Sequence, residues 1–119
     1  MNLTLTEEFG RALAETEGPI DESAATPFRE QLHPLFNQRG AHLILDMSQS
    51  KRINSEGIAA LVRLTTDAHT RGCRVVLTAP TPFICEVLQV TRLDRFFDVA
   101  DSRDAAHQLL ADSAALSTS

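Results

Sequence analysis

Cysteine and lysine are scarce in these 119 residues: Cys73 and Cys85 are the only cysteines, and Lys51 is the only lysine beside ten arginines. Two cysteines are too few for the disulfide framework of a small secreted domain. No apolar run approaches the roughly 18 residues of a membrane-spanning helix. The opening stretch, Met1 to Glu8, has neither the basic nor the apolar region of a signal peptide. The arginines are scattered along a chain of net charge -5, with a pI near 5.2. A nucleic-acid or anionic-membrane surface would need a clustered basic excess, so neither partner is expected. Glycine is also sparse, and Gly57 stands alone before its helix, which excludes a glycine-rich phosphate loop. His33, His42, His69 and His107 show no metal-ligand spacing. His69 and Cys73 are four apart, but Gly72 ends the helix between them. The cysteines read as small buried hydrophobes. A cytoplasmic protein without metal, cofactor or membrane insertion is the expectation.

What is present is ordinary globular material, 43% hydrophobic and 23% charged. A chain of this length can bury a core without metals or disulfides, with a radius of gyration of roughly 14 Å. Leu3 to Glu7 alternates as a strand does, with a turn near Gly10. Arg11 to Glu17 alternates more weakly and reads as an edge strand. Thr26-Pro27 reads as a cap followed by proline at the first helical position, and Phe28, Leu32, Leu35 and Phe36 form one apolar stripe. Pro34 inside that stripe should kink or shorten the helix.

His42 to Met47 is a near-continuous apolar run, as in a buried central strand. Ile58, Leu61, Val62, Thr65, Ala68 and His69 keep helical spacing up to Arg71-Gly72. Arg74 to Thr78 is a strand. Thr81-Pro82 starts a helix with Phe83, Ile84, Val87 and Leu88 inward. A brief strand falls at Phe97 to Val99, and a last helix runs from Ser102 to Asp112 with Ala105, Leu109 and Leu110 inward. The order β-β-α-β-α-β-α-β-α predicts one α/β domain over residues 1–112: a mixed sheet of four to five strands, an N-terminal hairpin and about four helices. Residues 113–119 read as a loose tail.

Asp46 closes the central strand, and eight residues later Asn54-Ser55-Glu56-Gly57 opens the strongest helix. One reading is local: Asn54 or Ser55 is an N-cap, worth about 1 kcal/mol. The other is that Ser55 accepts a phosphate, whose negative charge suits the positive end of a helix. Ile53 to Gly57 does not form a hydrolase elbow, and no base for Ser55 is marked.

Five segments in register resemble the STAS domain family of anti-sigma factor antagonists: Gly18 to Asp21, Leu43 to Ser48, Ile53 to Ile58, Gly72 to Leu77 and Arg92 to Phe97. Together they cover roughly residues 10–112. The resemblance implies phosphorylation of Ser55 by a partner kinase that doubles as anti-sigma factor, and removal of the phosphate by a PP2C-type phosphatase. The partner surface it implies comprises Asp21, Asn54, Ser55, Glu56 and Gly57, with ATP and Mg²⁺ belonging to the kinase. Three residues depart from the family pattern. Asn54 replaces the usual Asp and caps equally well. Glu56 replaces a second Ser/Thr; it suits the first helical turn but repels an adjacent phosphate. Arg92 stands where the family has glycine and reads as loop variation.

Three other readings compete. A STAS adaptor in a transporter or signalling assembly would bind partners whatever the state of Ser55. A receiver domain would use Asp46 as phospho-acceptor, but the acidic pair and the distal lysine it needs have only Glu7-Glu8 and Lys51 as candidates. A small acyl-transfer enzyme would need a histidine beside Ser55.

Overall fold

A computed structural model describes residues 1–38 and 40–117, with side chains through residue 111. Five strands form one sheet in chain order: β1 (Asn2–Glu8), β2 (Arg11–Glu17), β3 (His42–Gln49), β4 (Arg74–Thr78) and β5 (Asp98–Ala100). β1 and β2 are antiparallel, and every later neighbour is parallel. The hairpin turns at Phe9 and Gly10, both with positive φ, as turns matched to strand twist require. The radius of gyration is 13.2 Å, close to the value expected from length.

β2 is not the edge strand its sequence indicates. It lies between β1 and β3, with Leu13, Ala14 and Thr16 buried. Its small alanines pack closely on one face while Leu13 packs on the other, so the burial is two-sided and the alternation weak. A register shift between Glu15 and Glu17 turns Thr16 so that its hydroxyl meets the Ser50 hydroxyl at 2.7 Å.

The first helical segment, α1, occupies residues 22–37 and starts earlier than Thr26-Pro27 predicts. A 3-10 turn at Glu22–Ala24 is capped by Asp21, which accepts from the Ser23 N–H at 2.9 Å. An α turn at Ala25–Pro27, a π turn at Phe28–Leu32 and a 3-10 turn at His33–Asn37 follow. Pro34 accounts for the irregularity: having no N–H, it cannot continue the α ladder, and the His33 N–H reaches back to the Phe28 carbonyl instead.

The remaining helices are α2 (Ser55–Thr70), α3 (Pro82–Val90) and α4 (Arg103–Ser117). α4 runs past the predicted end at Asp112. The side chains of the predicted tail lie outside the described residues, as do the backbones of residues 118 and 119. α1, α2 and α3 contribute to the main core on one face of the sheet, around Phe28, Phe36, Leu61, Leu64 and Ile84. α4 covers the other face through Ala106 and Leu110 over Leu13, Ile44 and Val76. Two predicted inward residues differ. Phe83 is 41% exposed, with the Arg52 guanidinium 5.6 Å from its ring centre. Cys85 is half-buried, while Cys73 is buried as expected.

Candidate functional site

The ends of parallel strands and the starts of the helices that follow them are where open α/β sheets display their ligand-binding groups. Here the chain leaves β3 at Gln49 and enters α2 at Ser55, and the loop before α1 is joined to this connection. The Ile20 N–H donates to the Arg52 carbonyl at 3.0 Å, and the Asn54 N–H donates to the Ile20 carbonyl at 3.2 Å. Gly57 makes the approach possible: a Cβ there would lie 1.9 Å from the Ile20 carbonyl oxygen. Gly57 is buried, so it shapes the surface by letting the two loops meet.

Asn54 is the N-cap of α2, its Oδ1 accepting from the Gly57 N–H at 2.9 Å. Its amide nitrogen donates to Glu22 Oε2 at 3.2 Å, tying the start of α2 to the start of α1. Because Asn54 holds the capping bond, Ser55 occupies the first helical position, is exposed, and its hydroxyl has no protein partner among the described residues. Glu56 is exposed beside it and Asp21 is half-exposed. Hydrogen bonds from the Ser23 hydroxyl and N–H hold the Asp21 carboxyl below its ordinary range. Asp21, Asn54, Ser55 and Glu56 therefore share one surface, with Gly57 beneath. The sequence reading missed Glu22, whose only signal is its place in the same helix start.

The residues of the competing readings lie elsewhere. Asp46 is buried under α4. Burial pushes its carboxyl up, but hydrogen bonds from the Ser48 N–H and the Arg103 guanidinium (2.8 Å) outweigh this and leave it lowered. It is thus a structural anion with a fixed partner rather than an open phospho-acceptor. None of the four histidines hydrogen-bonds Ser55. His33 donates to Asp67 Oδ2 at 2.6 Å, and His107 lies between Glu8 and Arg11. Among the described residues no group of three or more His, Cys, Asp or Glu could hold a metal ion, and no helix is long and apolar enough to cross a membrane. A concavity of about 920 Å³ lies at the far end of the sheet, between the hairpin turn and the end of α1.

Fold and surface together define a class: a small α/β domain with a hairpin-led parallel sheet that displays a hydroxyl at a helix start, flanked by carboxylates. The chain belongs to the STAS domain family, whose sequence profile matches residues 5–106. A Bordetella bronchiseptica protein named "Putative anti-sigma factor antagonist BtrV" is 24% identical over 106 residues, covering 89% of this chain and 91% of the relative. Three solved structures share the fold. A serine-to-glutamate variant of RsbS from Moorella thermoacetica has a TM-score of 0.80 at 21% identity, covering 96% of this chain and 98% of that one. The Bacillus cell fate determinant SpoIIAA in its phosphorylated form has a TM-score of 0.68 at 18% identity, covering 91% and 99%. A sulfate transporter family protein from Wolinella succinogenes has a TM-score of 0.70 at 20% identity, covering 84% and 86%.

Proposed function

We propose that this protein is a cytoplasmic anti-sigma factor antagonist that works by binding a serine kinase/anti-sigma factor, and that phosphorylation of Ser55 releases it from that partner. The observation that carries the proposal is the division of labour at the start of α2. Asn54 supplies the cap, so the Ser55 hydroxyl is exposed and unengaged. A phosphate there adds about -1.5 to -2 charges at a helix N-terminus without breaking a hydrogen bond of the fold. It also adds them beside Asp21, Glu22 and Glu56, raising the negative charge of one surface enough to repel a partner that fitted the unmodified one. A PP2C-type phosphatase would reverse the step. ATP and Mg²⁺ belong to the kinase, and the chain itself takes no cofactor and performs no catalysis. The relative's name and the phosphorylated structural neighbour agree with this reading.

A second reading, a STAS adaptor indifferent to Ser55, is favoured by the permanent charge of Glu56 beside the serine and by the transporter-family neighbour. Affinity capture with wild-type, Ser55→Ala and Ser55→Asp baits separates the two. Under the proposal a nucleotide-binding kinase is retained by wild type and Ser55→Ala and is lost, by at least tenfold, with Ser55→Asp. Equal capture of a transporter subunit or scaffold by all three baits assigns the adaptor role instead.

A further inference from the structure

A second concavity lies away from Ser55, between α1 and α2, with a volume of about 520 Å³. That is within the roughly 300–1,000 Å³ of small-molecule sites. Its lining includes half-buried Ala25, with Phe28 and Ala60 at its almost wholly covered base, and three arginines, Arg29, Arg63 and Arg71, together with His33. The nearby carboxylate is already occupied. Asp67 accepts from Arg71 Nε and Nη2, both at 2.9 Å, and from His33 Nδ1 at 2.6 Å. Arg29 and Arg63 have no ion-pair partner among the described residues, and His33 Nε2 has no hydrogen-bond partner.

Solvated arginines are common on any surface. Here, in a chain of net charge -5, three line one concavity between two helices. A guanidinium offers a planar fork matched to phosphate oxygens. From this arrangement we infer that the cleft between α1 and α2 binds a small organic phosphate, with Arg29 and Arg63 on the phosphoryl oxygens and the apolar part of the ligand against Ala25 and the methylene stems of the arginines. Asp67, held by Arg71 and His33, is a positioning residue: it keeps those two side chains at the rim and joins α1 to α2. Arg63 is eight residues beyond Ser55 on the same helix, about 12 Å along its axis. The site is therefore separate from the Ser55 surface and does not depend on the role proposed for it.

Titration of the full chain with phenyl phosphate and with inorganic phosphate, followed by backbone amide NMR, tests the inference. Phenyl phosphate is expected to give saturable shifts at Phe28, Ala60 and Arg63 and to bind at least fivefold more tightly than inorganic phosphate. The Arg29→Gln/Arg63→Gln variant, altered only at exposed positions, should keep the wild-type spectrum and weaken binding at least tenfold. Absence of saturable shifts overturns the inference, as do shifts that persist unchanged in the double variant. A poly-glutamate peptide binding at the same amides more tightly than phenyl phosphate also overturns it, and assigns the cleft to an acidic protein segment.

Discussion

On one face of the sheet, twenty described residues bury a continuous apolar core beneath α1, α2 and α3. On the other, six form the core beneath α4: Leu13, Ile44, Val76, Ala100, Ala106 and Leu110. Charge supplements that smaller core. Arg103 reaches Asp46 at 2.8 Å, Glu15 at 3.2 Å and Glu8 at 3.6 Å, and His107 Nε2 meets Glu8 at 2.7 Å. Arg11 Nη1 donates to His107 Nδ1 at 3.1 Å, which leaves Nε2 to carry the proton towards Glu8. The main face is held by area removed from water, which responds little to pH. The α4 face depends on ionised groups, so solution conditions should loosen it first.

The sharpest break in this comparison is Leu61→Ala, which opens a cavity at a fully buried position of the main core. It should cost about 2–5 kcal/mol, read by urea denaturation, with the same loss at pH 7 and pH 3. Asp46→Asn tests the other face and should cost about 1–3 kcal/mol at pH 7. The Asp46 carboxyl is lowered in the folded state from an ordinary 3.8. Its contribution is therefore complete above that ordinary value and disappears as pH falls through the folded one. The difference between wild type and Asp46→Asn should shrink towards pH 3, whereas the Leu61→Ala difference persists. A pH-independent Asp46→Asn loss would mean that packing, not charge, holds α4.

The smallest effect is a gain. Arg92 adopts φ +61°, the left-handed conformation that glycine takes freely. Arg92→Gly should stabilise the protein by about 0.5–1 kcal/mol. A neutral or negative result would show that the arginine side chain compensates for the strain.

Much of this architecture was legible because its signals are local. β3, β4 and α2 follow from an apolar run and from helical periodicity, and a cap at Asn54 or Ser55 follows from their place before that helix, the fold selecting Asn54. β2 reads as an edge strand because central burial by alanine leaves little alternation. Thr26-Pro27 is a good start signal and places the start of α1 too late, while the operative cap, Asp21, precedes a 3-10 turn with no apolar period. Phe83 fits its helical stripe, and only the fold shows that the stripe ends in solvent beside Arg52. The charged groups were the least legible. Arg103 lies 57 residues from Asp46 in the chain, and Arg29, Arg63 and Arg71 look scattered until two helices pack together. At the Ser55 surface, chain order placed Asn54, Ser55 and Glu56 together, but nothing local indicated that Asn54 would also hold Glu22.

Strand order repeats chain order from β1 to β5. As the polypeptide leaves the ribosome, each new strand can therefore join the edge just completed, and no strand waits for a later one to be inserted beside it. Arg103 and His107 emerge after every strand, so the apolar patch of Leu13, Ile44 and Val76 stays uncovered until α4 has been made. A nascent chain stalled before α4 would carry a formed sheet with one bare face, a substrate for chaperones or for self-association.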